Sequence, residues 1–276
     1  MSLDLHDHDR GLQFDLSTLN RRSLLGVAGA AGLIALAGCG TEATNTAAPA
    51  TTDGASASAS ASAAAAGECT TEIPEETAGP FPGDGSNGPD VLTQSGVVRQ
   101  DIRSSFGSAS GVAEGIPLTV TLTVQDLSKG CSAYSGAAVY LWHCDRDGNY
   151  SMYAAAVANE NYLRGVQEAD ASGQVTFETI FPAAYSGRWP HIHFEVYPSL
   201  SSATAASNKI TTSQLALPQD ASDEVYATAG YEASVSNMAQ TSLSTDMVFS
   251  DGVGQQMAAV TGNTSEGYTA TLTVPV

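Results

Sequence analysis

The chain has 276 residues, 42% of them hydrophobic and 14% charged, which is long enough for one sizeable buried core. Its 29 Asp and Glu outnumber its 10 Lys and Arg, and the net charge of −19 argues against nucleic acid or an anionic membrane as a partner bound through charge. Acidity of this kind favours solubility and singles out no ligand.

The first quarter does not read as globular. In "LNRRSLLGVAGAAGLIALAGCG", Arg21 and Arg22 precede an apolar run from Leu24 to Ala37, the pattern of a twin-arginine export signal. The run is too short and too rich in glycine for a permanent transmembrane helix. Small residues ahead of Cys39 resemble the lipobox of bacterial lipoproteins, in which the cysteine is lipidated and becomes the mature N-terminus. Residues 1–38 are therefore expected to be a signal peptide, and the mature protein to lie outside the cytoplasm, tied to the membrane only through a lipid at Cys39. Residues 39–67, which include "ASASASASAAAA", lack the large apolar side chains needed to offset ordering entropy and are expected to be a flexible linker. The folded domain is expected over 68–276.

From there alternation dominates. "PLTVTLTVQD" sets Leu118, Val120, Leu122 and Val124 on one face and threonines on the other, the period of a half-buried strand. "AAVYLWHCD" from Ala137, "GQVTFETIF" from Gly173, "HIHFEVY" from His191, "KITTSQLAL" from Lys209 and "GYTATLTVPV" from Gly267 read the same way, between Gly, Asp, Ser and Pro turns. Only residues 219–243 suggest short helical turns. The chain is thus expected to be all-β, an antiparallel β-sandwich with long loops and no internal repeat. Beyond Cys39 there are three cysteines, Cys69, Cys131 and Cys144. In an exported protein a disulfide is expected, with Cys131 to Cys144 the first choice and Cys69 an alternative partner for either.

One strand carries unusual chemistry. In "YSGRWPHIHFEVY", His191, His193, Glu195 and Tyr197 share a face, opposite Ile192, Phe194 and Val196. Two imidazoles at this spacing can reach one metal ion, although H-x-H alone is a weak signal. Tyr185 precedes the strand and Tyr150 ends "WHCDRDGNY". Phenolate oxygens are hard anionic donors, so two of them with two imidazoles suit a trivalent ion such as Fe(III) better than zinc. A free phenol has a pKa of about 10, and only a strongly polarising cation keeps it ionised at neutral pH. His143, beside Trp142, reads as a structural histidine, and Asp145, Arg146 and Asp147 as a solvated turn.

Taken together, "VYLWHCDRDGNYS", "NYLRGVQEADASGQVTFETIFPAAYSGR" and "RWPHIHF" resemble the intradiol ring-cleavage dioxygenases over roughly residues 70–217. The resemblance implies a β-sandwich holding non-haem Fe(III) on Tyr150, Tyr185, His191 and His193, with Tyr162 in "NYLRG" a rival for the first ligand. It implies O2 as co-substrate and a small aromatic diol as substrate, opened between its hydroxyl-bearing carbons to a muconate-type diacid. Tyr185 matches the tyrosine displaced by substrate and Tyr150 the one that stays. Arg188 matches the arginine that stabilises charge on the ring, and Gln214 a polar residue that orients ligands and substrate. Arg164 is open to two readings, a structural ion pair or a substrate contact. "AGPFPGDGS" departs from the family's usual E-G-P-Y by placing Ala78 at the acidic position and Phe81 at the aromatic one. These features, with no N-terminal dimerising helix, point to a secreted single-domain branch acting on catechols, hydroxyquinol or lignin-derived aromatics. Two other functions compete: a catalytically silent sandwich that binds an aromatic or a surface partner, and a zinc or copper site on the two histidines with Glu195. Substrate identity and oligomeric state do not follow from the residues.

Overall fold

The structure, a computed structural model, describes residues 71–276. The expected signal peptide, lipidation at Cys39 and the whole linker lie outside the described residues. The strands are β1 (Pro117–Asp126), β2 (Ser132–Ala133), β3 (Ala138–Trp142), β4 (Arg164–Glu168), β5 (Gln174–Ile180), β6 (His191–Tyr197), β7 (Thr211–Ala216), β8 (Ala259–Asn263) and β9 (Gly267–Pro275). Two short helices, α1 (Gln219–Tyr226) and α2 (Glu232–Met238), stand where helical turns were expected.

The strands form two sheets. In the first, β1 pairs with β2 and β5 along one edge and with β9 along the other, and β8 lies outside β9. The second runs β4, β3, β6, β7. Alternation explains the first sheet directly: Leu118, Val120, Leu122 and Val124 of β1 are buried with Val175 and Phe177 of β5 and Tyr268, Ala270, Leu272 and Val274 of β9. They meet Val139, Leu141, Ile192, Phe194, Val196 and Leu215 of the second sheet in one apolar cluster. Fully burying each such side chain contributes about 1.5–3 kcal/mol.

The all-β sandwich agrees with the alternating pattern, with two exceptions. β1 and β9 are parallel, with Val120 opposite Ala270, where antiparallel pairing was expected. A parallel neighbour requires a long crossover, and here the whole second sheet and both helices are threaded between the two strands. The expected Cys131–Cys144 disulfide is not formed: Cys144 is a free, buried thiol, whereas Cys131 is disulfide-bonded to a partner outside the described residues. Cys144 lies two residues past β3 in the cluster outside the second sheet, where its Sγ donates to the Ala183 carbonyl at 3.6 Å, and Cys131 belongs to the turn that ends β1.

The second sheet is buried on both faces. Its outer face presents Tyr140, Trp142, Val166 and Tyr197, which pack against Phe81, Val91, Leu92, Val97 and Tyr150. Residues 74–99 form this cover, and Arg164 clamps it down. The fully buried guanidinium donates to the carbonyls of Phe81 (2.9 Å), Pro82 (2.7 Å) and Ser151 (3.0 Å), and to the hydroxyls of Tyr140 (3.0 Å) and Ser151 (3.1 Å). Gly83, at φ +68°, passes so close that an added Cβ would lie 2.6 Å from Arg164 Nη1. Among the described residues Arg164 makes no ion pair, and carbonyl and hydroxyl oxygens take up its donors instead. Arg164→Met would leave the buried Phe81 and Ser151 carbonyls without this donor, at roughly 1–3 kcal/mol each. We expect the variant to lose roughly 2–6 kcal/mol in urea unfolding, and Arg164→Lys to lose less.

Candidate active site

The site lies on the outer face of the second sheet, under this cover. Because side chains alternate along β6, His191, His193, Glu195 and Tyr197 all point away from the apolar core. β6 is buried along its whole length, so the histidine face looks into protein. His193 sits in a cross-strand row with Trp142 on β3 and Gln214 on β7. The Trp142 ring stacks on the imidazole at 4.9 Å and 7°, and Tyr140 stacks on Trp142 in turn.

Two loops bring the tyrosines. Asp145 organises the first: its Oδ1 accepts from the backbone N–H of Asp147 (3.0 Å) and Asn149 (2.8 Å), and Gly148 adopts φ +85°. A Cβ on Gly148 would reach 3.4 Å from Tyr185 Cβ, so the turn passes close beside the second loop. Asp145 is buried rather than solvated, and burial raises its pKa. Its Oδ2 accepts from the Tyr162 hydroxyl at 3.0 Å, which occupies Tyr162 away from the histidines. The second loop is pinned by helix α2, where Ser234 Oγ accepts from the Ala184 N–H and Asn237 Nδ2 donates to the Ala184 carbonyl.

Four donor atoms converge as a result. Tyr150 Oη lies 3.4 Å from Tyr185 Oη, Tyr185 Oη lies 3.1 Å from His191 Nε2, and His191 Nε2 lies 3.1 Å from His193 Nε2. Donors bonded at about 2.0–2.2 Å to one ion stand roughly 3–3.5 Å apart, so these separations fit a shared cation. Charge and tautomer fit as well. Burial, reinforced by Arg188 and by the neighbouring histidine, pushes both imidazoles well below the usual histidine range and keeps them neutral. His191 Nδ1 donates to the Trp189 carbonyl at 2.5 Å, which leaves the Nε2 lone pair facing the cluster. His193 Nδ1 is buried with no hydrogen-bond partner among the described residues. If that nitrogen carries the proton, two bare lone pairs face each other across 3.1 Å, an arrangement that a cation relieves. Burial likewise pushes the Tyr150 phenol well above its ordinary value, so without a cation it stays protonated. Among the described residues no three His, Cys, Asp or Glu side chains are grouped to hold a metal, so any such site here depends on the tyrosines.

The remaining candidates fall in different places. Arg188, fully buried, donates from Nη2 to Gln214 Oε1 at 2.6 Å and brings Nη1 to 3.4 Å from His191 Nε2. Gln214 Nε2 donates in turn to the Thr77 carbonyl at 2.9 Å, linking the site to its cover. Glu195, two residues past His193, points to a separate cluster: it accepts from Lys209 Nζ (2.8 Å), Tyr197 Oη (2.6 Å) and Thr212 Oγ1 (3.3 Å), and burial lifts its pKa to about 7. A two-histidine-plus-Glu195 metal site is therefore not what the geometry presents. His143 is structural, with Nδ1 on the Cys144 carbonyl and Nε2 on Thr179 Oγ1, and burial lowers its pKa to about 4. Phe81 packs 5.2 Å from both Tyr150 and Tyr153. Asp246, which binds Arg188, has no signal in "STDMVF" that marks it for a site.

Comparison with known proteins gives this arrangement a lineage. The family described as Dioxygenase matches residues 87–222, which include both tyrosines and both histidines. An intradiol ring-cleavage dioxygenase from Tetranychus urticae is 26% identical, with a TM-score of 0.54, over 68% of this chain and 90% of its own. A second dioxygenase crystal structure is 25% identical, with a TM-score of 0.55, over 68% of this chain and 89% of its own. Sequence motifs, two-sheet architecture and these matches agree in likening the chain to the intradiol ring-cleavage dioxygenases.

Proposed function

We propose that the protein is a non-haem Fe(III) dioxygenase that opens a small aromatic diol between its two hydroxyl-bearing carbons, with O2 as co-substrate and a muconate-type diacid as product. The observation that carries this reading is the convergence of Tyr150, Tyr185, His191 and His193 within 3.1–3.4 Å of one another along the chain of donors. Fe(III) bound there would supply a Lewis acid for both substrate hydroxyls and an electron acceptor toward the ring.

The chain's own residues divide the remaining work. Tyr150 is almost fully enclosed, whereas Tyr185 is only half-buried and lies on a loop, so Tyr185 is the phenol with room to leave. Held as a phenolate by a bound cation, its Oη would be placed to take a proton from an incoming hydroxyl, whereas without one it donates to the neutral acceptor His191 Nε2. The imidazole of His193 is held by the Trp142 stack and cannot follow. Arg188 places a fixed positive charge at the edge of the cluster, where charge building on a ring is favoured in a dry site. Phe81, Tyr153 and the clamped cover exclude water from the same space.

The location of the enzyme is part of the proposal. The twin arginines and Cys39 support export and a lipid anchor on the outer membrane face, with the Ala/Ser-rich stretch as tether. Among the described residues no helix is long and apolar enough to cross a membrane.

The iron-loaded protein is expected to show a broad visible phenolate-to-iron band that shifts when catechol is added without oxygen, and to consume O2 when oxygen is admitted. Tyr150→Phe should lower or abolish the band at equal protein concentration, as read in the absorption spectrum with iron quantified. A colourless protein with a full complement of iron would sink the two-tyrosine site. Colour without oxygen uptake on any aromatic diol would instead favour a silent binding module. Because both phenols must lose their protons to bind the cation, Fe(III) loading at pH 7 in weak buffer should also acidify the medium by about two protons per ion.

A further inference from the structure

A guanidinium has three nitrogen corners, and among the described residues two of those on Arg188 are tied down by different parts of the chain. Nη2 donates to Gln214 on β7, and Nε donates to Asp246 Oδ2 at 3.0 Å. We propose that Asp246 is a positioning residue for ring cleavage, holding Arg188 so that its third corner, Nη1, faces the donor cluster. This inference rests on the function proposed above, and it places part of the active site beyond residues 87–222.

The carboxylate is built to stay in one orientation. Asp246 is fully buried, and each of its oxygens takes two donors: Oδ2 accepts from Arg188 Nε and from the Trp189 N–H at 2.7 Å, and Oδ1 accepts from the N–H groups of Val248 (2.8 Å) and Phe249 (3.1 Å). Rotation about the Cβ–Cγ bond would break all four bonds at once. The backbone donors at 248 and 249 open the short helical turn Phe249–Asp251, whose Phe249 ring packs edge-on to His191 at 6.5 Å between centroids. Asp246 is thus anchored in the segment that walls the site and reaches across to the guanidinium.

Charge makes the same demand. Removing a buried charge's partner costs far more than the pair itself contributes. Arg188 stands beside two neutral imidazoles that are candidates for a cation, and neither carries a negative charge to balance it. Asp246 compensates the guanidinium from the side away from the cluster. Arg188 can then remain charged next to a metal ion and still direct one N–H toward it.

A structural carboxylate and a positioning one are separated by a double-mutant comparison on the full-length, iron-loaded chain, with catechol and 1,2,4-trihydroxybenzene as probes. Asp246→Asn presents an amide that cannot accept both the Arg188 and Trp189 donors with full charge. Its kcat for O2 uptake should fall about 10- to 100-fold, the scale of a reacting group displaced by a fraction of an ångström to an ångström. KM should stay within about threefold, and the visible band should be unchanged because no iron ligand is touched. In an Arg188→Met background the same Asp246→Asn change should alter kcat less than about twofold, since a residue acting through Arg188 has nothing left to position. An equal loss in both backgrounds, a wild-type kcat for Asp246→Asn, or loss of the visible band with it would overturn the inference. Asp246→Ser is read in the same way if Asp246→Asn is insoluble; failure of both to fold would make Asp246 structural and overturn it too. Failure of the underlying function looks different: the wild-type protein itself would neither shift its band with either diol nor consume O2, and the inference would fall with it.

Discussion

Everything at this site depends on one strand that must bury both of its faces. β6 sends Ile192, Phe194 and Val196 into the core between the sheets and, by the same alternation, His191, His193, Glu195 and Tyr197 outward. An outward face made of ionisable groups is stable in water, yet here the segment 74–99 covers it. Every polar atom on that face must then find a partner inside the protein. Most do. Glu195 takes Lys209, Tyr197 and Thr212, and Gln214 joins Arg188 to Thr77. Trp142 Nε1 does not, and neither does the point where His191, His193, Tyr150 and Tyr185 meet, with nitrogen facing nitrogen and one imidazole nitrogen unpartnered among the described residues. The cover creates the demand, and a cation would answer it.

The cover is held by the same kind of chemistry. Arg164 carries a full charge into the interior and spends it on carbonyls and hydroxyls from the cover, from β3 and from the loop of Tyr150. One side chain therefore couples the closing of the site to the placing of a donor. Arg188 differs because it has a carboxylate partner in Asp246, and so its charge is balanced while one corner stays directed at the site. Two buried arginines on the same sheet face thus serve different ends, one fixing backbone and the other directing charge.

Much of the fold was legible because period-two alternation is a strong local signal: β1, β5, β6, β7 and β9 stand within two residues of the runs that announced them. β8 was missed, since "AVTGN" is an exposed edge strand with little apolar content, and β4 was missed because Arg164 and Gly165 interrupt its pattern. Parallel pairing of β1 with β9 leaves no local trace, because it is set by the path of the intervening chain. The residues that converge were found through two short motifs and the chemistry of phenolate and imidazole, which are local. Their environment was not: the burial of Asp145, the role of Arg164 and the free thiol of Cys144 all arise from contacts distant in sequence. Asp246 shows the limit most clearly, since an isolated acid in a loop becomes a site residue only once the fold brings it to Arg188.

The central claim is that four side chains hold one cation, and anomalous X-ray diffraction at the iron edge tests it most directly. Crystals of the iron-loaded protein should show one strong anomalous peak about 2 Å from Tyr150 Oη, Tyr185 Oη, His191 Nε2 and His193 Nε2 alike. A fully loaded protein whose peak lies elsewhere, or whose peak touches the histidines but neither tyrosine, would contradict the account.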